Sequence, residues 1–379
     1  MMPTTDERLD QLHRDAPLTD VHAHPSLKAF LFRRNLWRHY RSGSTFNPFS
    51  SRSDFASLAR GGVRVLWSAH YVPEREIFRD CWLASVAGWF VPSLRRLRKG
   101  STFDSLLEMM TALEREVARH PDRAGIAKSL RELNEHRRED RIALVHTVEG
   151  LHAVGGDVDR LDTLAELGVA MVTLSHFYDN NIAAHVDGIP KDMAIRGLCA
   201  FQFGIGRRPV LTDLGRTMLR RMQRLGILVD VTHLSAAARA AVFNEVAADR
   251  PIVASHIGVQ HFRADPYNLH DDEIREIAHR GGAVGVIFMP YWLREDHARK
   301  DGLALIGDAM EHIASVTGSW SHVMIGTDFD GFTTPPRAVA DASRLPAVTG
   351  MLLERGVTEP EVLKVLGANA LRVLQESWR

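Results

Sequence analysis

The chain has 379 residues, 45% of them apolar and 25% charged, which suits a globular fold large enough for a barrel with insertions. Its 47 basic and 47 acidic residues cancel, so nothing in the overall charge attracts nucleic acid or an anionic membrane. Two cysteines, Cys81 and Cys199, lead us to expect neither a disulfide-stapled fold nor a thiolate metal cluster.

In chain order, Met1 to Asp15 is polar and mixed in charge, without the apolar stretch of a signal peptide. No later apolar run reaches membrane-spanning length, so a cytoplasmic location is expected. The first strand reads as Leu18–His22 and stops before Pro25, which cannot continue a ladder. His22 and His24 share a strand face, and two imidazoles aimed together suggest half of a metal site, zinc above all. The stretch 26–53, rich in Arg, Phe and Trp, suits a loop or lid over that strand end. A second strand is predicted at Val63–Ala69. A long insertion follows from Glu74 to Asp140, most of it helical in pattern. Further strands are predicted at Ile142–Val148, Ala170–Ser175, Ile227–Thr232, Ile252–Ser255, Ala283–Met289 and Val323–Gly326. Helical spacing lies between them at Leu161–Leu167, Leu214–Leu225, Ala236–Val246, Asp272–His279, Leu303–Val316 and Pro360–Gln375. Thr212 and Ser235 are N-cap candidates, and Phe201–Arg208, with two glycines, reads as a flexible loop. Eight strands alternating with helices predict a parallel α/β sheet closed as a (β/α)8 TIM-type barrel. A doubly wound open sheet is the alternative. No repeat or linker divides the chain, so residues 1–379 are expected to form one barrel domain.

The ends of these strands carry the chemistry. The first gives His22 and His24, the third ends on Glu149, the fourth on His176, the fifth on His233, the sixth on His256 and the eighth on Asp328. In a (β/α)8 barrel all C-terminal strand ends meet at one mouth. Five histidines and two carboxylates there suit two ions bridged by a carboxylate, which together activate a water. His70, His146, His152, His185, His261 and His322 are read as hydrogen-bonded structural residues. Asp230 is read as an anchor, and Asp330 as a loop anchor or a support for Asp328.

These residues sit in ordered motifs that resemble the membrane dipeptidase (renal dipeptidase) family of zinc peptidases, within the amidohydrolase-like barrel superfamily. The motifs are Asp-Val-His-Ala-His at 20–24, Val-Glu-Gly at 148–150 and Thr-Leu-Ser-His at 173–176. They continue with Leu-Thr-Asp-Leu-Gly at 211–215 and Arg-Leu-Gly-Ile-Leu-Val-Asp-Val-Thr-His-Leu-Ser at 224–235. The rest are Ser255-His256, Asn-Leu-His-Asp-Asp at 268–272, Gly281-Gly282 and Ile-Gly-Thr-Asp-Phe-Asp-Gly at 325–331. The resemblance implies two Zn2+ per chain. His22, with His24 beside it, would bind one ion, His233 and His256 the other, and Glu149 would bridge them. A hydroxide held between the ions would attack the scissile carbonyl, Asp328 would move the proton, and His176 would contact substrate and the developing oxyanion. It further implies a small substrate, a dipeptide above all, and a homodimer, with neither nucleic acid nor membrane as partner.

Two positions depart from the family. His24 stands where aspartate is usual, leaving less negative charge around the pair. Tyr267 stands where an arginine commonly pairs with the substrate carboxylate, and Arg263 is the nearby substitute. Tyr267 and Arg263 are therefore the candidate substrate contacts. The same barrel chemistry on a lactam, lactone or N-acyl compound is the rival expectation, and a non-catalytic metal-binding barrel is a third.

Overall fold

A computed structural model describes residues 11–13, 15–178, 180–192, 199, 210–299 and 301–378. Nine parallel strands form one sheet: β1 (Thr19–Ala23), β2 (Val65–Tyr71), β3 (Ala124–Ala127), β4 (Ile142–Glu149), β5 (Val169–Thr173), β6 (Leu228–Asp230), β7 (Ile252–Ile257), β8 (Ala283–Ile287) and β9 (Val323–Gly326). Eight of them close a barrel in the order β1-β2-β4-β5-β6-β7-β8-β9, with β9 returning to β1 through Asp20 and Ile325. Each of the eight overlaps a strand expected from the sequence. Nearly every residue in them is buried, because side chains fill the barrel on one face and helices cover the other. That two-sided burial is why they read as continuous apolar runs.

The ninth strand was not expected. β3 pairs with the first half of β4, from Ala124 opposite Ile142 to Ala127 opposite Val145; β5 takes over at His146. Its sequence, Ala-Gly-Ile-Ala, has only one β-branched residue, so local preference does not announce it.

Helices follow the strands. The first are α1 (Pro25–Phe32) and α2 (Phe55–Arg60). The insertion between β2 and β4 contains α3 (Arg75–Asp80), α4 (Trp82–Phe90), α5 (Pro92–Lys99), α6 (Thr102–Val117), β3 and α7 (Leu130–Arg138). Beyond β4 come α8 (Arg160–Glu166), α9 (Asp213–Leu225), α10 (Ala236–Glu245), α11 (Asp271–His279), α12 (Pro290–Leu293), α13 (Gly302–Thr317), α14 (Pro346–Glu354), α15 (Glu359–Leu363) and α16 (Asn369–Ser377). The expected caps are in place: Thr212 accepts from the Gly215 amide and Ser235 from the Ala238 amide. The Phe201–Arg208 loop lies outside the described residues.

Val21, Val65, Trp67, Val145, Met171, Val253 and Met324 form one buried cluster with Leu371, Leu374 and Trp378, so the C-terminal helix is welded to the barrel. Trp67 is fully buried, which at about 25 cal/mol per Å2 contributes on the order of a few kcal/mol. The 26–53 segment is tied down. Asp330 accepts from the backbone amides of Arg52 and Ser53 (3.0 and 2.9 Å) and from the Ser53 hydroxyl (2.6 Å). Arg52 donates to the Ala340 carbonyl at 2.7 Å, and Lys28 to that of Pro48 at 2.8 Å. Asp330 is thus a loop anchor.

One expectation fails. Cys81 and Cys199 form a disulfide across 118 residues, joining the start of α4 to the segment after β5. A count of two over so long a spacing carries no sign of pairing; only the fold brings the insertion and that segment together. The cysteines therefore give no support to a reducing compartment. Among the described residues, no helix is long and apolar enough to cross a membrane.

Candidate active site

The side chains gathered at the mouth come from strand ends. His22 lies in β1, Glu149 ends β4 and His256 lies in β7. His24, His176, His233 and Asp328 follow the ends of β1, β5, β6 and β9 by one to three residues. The barrel thus turns sequence-distant residues into neighbours. His22 Nε2 is 3.1 Å from His24 Nε2 and 3.4 Å from Glu149 Oε1, and His24 Nε2 is 3.6 Å from Glu149 Oε2. On the other side, His233 Nε2 is 3.1 Å from His256 Nε2, and the two lie 3.2 and 3.4 Å from Glu149 Oε1. Each pair of histidines thus makes a triangle of candidate ligands with the one carboxylate, His22 and His24 through its two oxygens and His233 and His256 through Oε1. Ligands about 2.0–2.1 Å from a tetrahedral zinc lie roughly 3.3 Å apart, the spacing seen on both sides.

The proton inventory makes the same point. Asp230 accepts five hydrogen bonds: from the hydroxyls of Thr173 (2.6 Å), Thr232 (2.8 Å) and Ser255 (2.7 Å), and from the amides of Thr232 and Ser255. The only hydrogen of the Ser255 hydroxyl is spent on Asp230, so Ser255 Oγ must accept from His22 Nδ1 (3.2 Å) and His256 Nδ1 (2.9 Å). Both rings are fixed in the Nδ1–H form and aim bare Nε2 lone pairs at Glu149. Burial, reinforced by His22, holds the His256 pKa well below its ordinary value. Burial works against ionising Glu149 too, but the surrounding histidines, His176 and His22 first, outweigh it in their protonated forms and hold its carboxyl well below the usual range; unprotonated, His22 and His256 present it only with lone pairs. Acceptors facing acceptors among buried side chains call for a cation. The Nδ1 atoms of His24 and His233 are buried with no hydrogen-bond partner.

Asp328 faces His24, Oδ1 to Nε2 at 3.2 Å. Burial opposes charge on His24, yet the hydrogen bond to Asp328 and the charges of Glu149, Asp328 and Asp330 raise its pKa. His233 and Asp328 both adopt left-handed backbone conformations (φ 66° and 55°), which non-glycine residues rarely take outside sites that need them. Gly331 is required beside them: a Cβ there would sit 1.9 Å from Asp328 Oδ1.

His176 reaches the same carboxylate, Nε2 to Glu149 Oε2 at 3.7 Å. Behind it stands Glu74, which the sequence reading passed over as the first residue of the insertion. It follows β2 by three residues, the same place relative to its strand as His176 and His233, and that was the available signal. Glu74 Oε1 accepts from His176 Nδ1 (3.2 Å) and the Phe177 amide (3.0 Å), and Oε2 from the Tyr71 hydroxyl (2.5 Å). Burial raises the Glu74 pKa, but His152, His176 and the Tyr71 hydroxyl outweigh it and bring it to about 2. Burial lowers the His176 pKa against the pull of Glu149 and Glu74. With its Nδ1–H committed to Glu74, His176 can donate from Nε2 only as an imidazolium.

A cavity of about 440 Å3 opens onto His24, Glu149, His176, His233 and Asp328. Leu31, Phe46 and Pro48 wall it from the 26–53 segment, Ile77, Phe78 and Leu83 from the insertion, and Ile287, Met289 and Trp292 from the β8 side. An adjoining recess of about 670 Å3, around Asp192, His297 and Thr334, contains none of the converging side chains. Tyr267 lines the cavity, but its ring stacks on Trp292 (4.5 Å) and its hydroxyl donates to the His256 carbonyl at 2.8 Å. Arg263 is not brought to the cavity wall. Its guanidinium stacks on Tyr291 (3.7 Å), donates to the Arg294 carbonyl and pairs with Glu295. His70 and His146 lie elsewhere and bond each other at 2.8 Å.

A closed parallel barrel whose mouth gathers histidines around a buried carboxylate has the make-up of a metal-dependent hydrolase. The chain belongs to the membrane dipeptidase family (peptidase family M19), whose family model matches residues 6–378. It is 27% identical over 369 residues to dipeptidase aclJ of Aspergillus oryzae, covering 97% of this chain and 79% of that protein. Its fold is shared by the probable dipeptidase PvdM of Pseudomonas aeruginosa (20% identity, 97% of each chain, TM-score 0.76). It is also shared by a metallopeptidase of Rhodobacter sphaeroides solved with a phosphinate mimic of the dipeptide L-Ala-D-Ala (22% identity, 96% and 99% of the chains, TM-score 0.73).

Proposed function

We propose that this chain is a binuclear zinc dipeptidase acting on dipeptides with bulky apolar side chains. The observation that carries the reading is the pair of ligand triangles sharing Glu149. His22 and His24 would hold one ion and His233 and His256 the other, with the Glu149 carboxylate common to both. When bound, two such ions activate a water as nucleophile and polarise the scissile carbonyl. The protein's own groups do the rest. Asp328 takes the proton of the attacking water and passes it to the leaving amine. His176, its Nδ1–H held by Glu74, donates from Nε2 in its protonated form, which burial disfavours in the free site and the charge developing on the carbonyl oxygen favours. Ser255 and Asp230 fix the tautomers of His22 and His256, and the apolar walls seat the substrate's side chains and exclude water. The whole chain would act as one barrel unit, in a homodimer.

The position of Arg263 and the engaged hydroxyl of Tyr267 support a second reading, the same chemistry on an N-acyl compound, lactam or lactone. Steady-state assays of zinc-loaded protein on dipeptides and on those classes separate the two. Release of amino acids from apolar dipeptides, reduced about a hundredfold or more in Asp328→Asn, is the expected result. No turnover across the dipeptide panel would overturn the first reading.

A further inference from the structure

The insertion carries a surface that catalysis does not explain. On α4, Trp82, Val86, Trp89 and Phe90 recur at i, i+4, i+7 and i+8, so they share one face. That face is open to solvent: the four are 59%, 48%, 60% and 83% exposed. An exposed patch with two tryptophans and a phenylalanine marks an interaction site rather than ordinary surface. The next helix, α5, supplies Arg95, Arg96, Arg98 and Lys99, and residues 81–103 contain no acidic residue. Arg98 and Lys99 lie over the Trp89 ring at 4.8 and 5.5 Å, so cations rim the aromatic face directly. Arg96 is paired with Glu108 across the 12 residues between them. The chain's overall charge balance hides this local concentration.

We propose that the α4 face and the α5 cations form a docking surface for a lipid bilayer with anionic headgroups. Tryptophan and phenylalanine settle at the boundary between headgroups and acyl chains, and arginine or lysine beside them meets the anionic phosphates. The chemistry disfavours a second copy of this chain, because a two-fold contact would set the α5 cations of each copy close to those of the other. Leu83 of the same helix is exposed and also lines the catalytic cavity, so docking would place the mouth at the lipid surface. The proposal does not depend on the substrate.

The test is co-sedimentation of the zinc-loaded full chain with phosphatidylcholine vesicles, with and without phosphatidylglycerol. Wild type is expected to partition onto the anionic vesicles with a blue shift in tryptophan emission, and to be released by high salt. Arg95→Glu is expected to weaken partition by about fivefold or more. The double variant Trp89→Ser, Phe90→Ser, both residues outside the catalytic cavity, is expected to abolish it while metal content and thermal unfolding stay at wild-type values. Three results would overturn the proposal: no binding to anionic vesicles, binding indifferent to these variants, or a wild-type dimer that the double variant converts to monomer. A face covered by the chain's own residues would appear as absent binding with wild-type emission unchanged by vesicles.

Discussion

Glu74→Gln tests whether a buried carboxylate governs the substrate-facing histidine. Glutamine can keep the neutral bonds: its carbonyl oxygen can accept from His176 Nδ1 and the Phe177 amide, and its NH2 can donate to a rotated Tyr71 hydroxyl. What disappears is the negative charge opposite His176. A charge-assisted hydrogen bond is worth about 1.5–3 kcal/mol and a neutral one about 0.5–1.5 kcal/mol, so the imidazolium loses about 1–1.5 kcal/mol. Since 1.36 kcal/mol is a factor of ten in rate, kcat is expected to fall about tenfold, with zinc content unchanged. The assay is kcat and KM against pH for wild type and variant, beside metal analysis of both. Loss of a metal equivalent would show that His176 is a ligand and refute the positioning role, as would wild-type kcat throughout the pH range. Glu74→Ala differs in kind, since it strands three buried donors and is expected to cost about 3 kcal/mol or more of stability.

Other consequences are measurable. Asp328→Asn should retain both metal equivalents but lose about 10^2- to 10^4-fold in kcat, the usual contribution of a positioned proton-transfer group. Ser255→Ala removes the shared acceptor of His22 Nδ1 and His256 Nδ1 and should weaken metal affinity about 10–100-fold, read by chelator competition. The folded pKa of Glu74, about 2, lies below its ordinary 4.5, so its stabilisation is present above pH 4.5 and is lost as pH falls towards 2. That loss is about 3 kcal/mol, and Glu74→Gln should show a correspondingly shallower acid limb in chemical denaturation of the metal-free protein. Chelation should lower Tm, since a ligand in thousandfold excess over its Kd contributes about 4 kcal/mol; an unchanged Tm would count against metal at this site.

The barrel was legible because strands buried on both faces leave continuous apolar runs, and because parallel strands put their C-terminal ends together. His22, Glu149 and His256 could be grouped from sequence on that rule alone. β3 could not, because its four residues owe their strand conformation to the edge of β4 that β5 leaves unpaired before His146. Glu74 was hidden by a boundary: the insertion was read as beginning at the residue that the end of β2 aims at His176. The roles of Ser255 and Asp230 depend on hydrogen counting among four strand ends, which spacing does not encode. The fate of Arg263 was equally invisible, since stacking on Tyr291 is decided by α12. The disulfide needed two distant segments to meet.

The central claim is that Glu149 is shared by two metal sites, one with His22 and His24, the other with His233 and His256. Metal analysis of zinc-reconstituted protein, together with anomalous scattering at the zinc edge, tests it most directly. Two zinc equivalents per chain are expected, with density at both histidine pairs and loss of both ions from Glu149→Ala. A single equivalent, or density away from these pairs, would contradict the account.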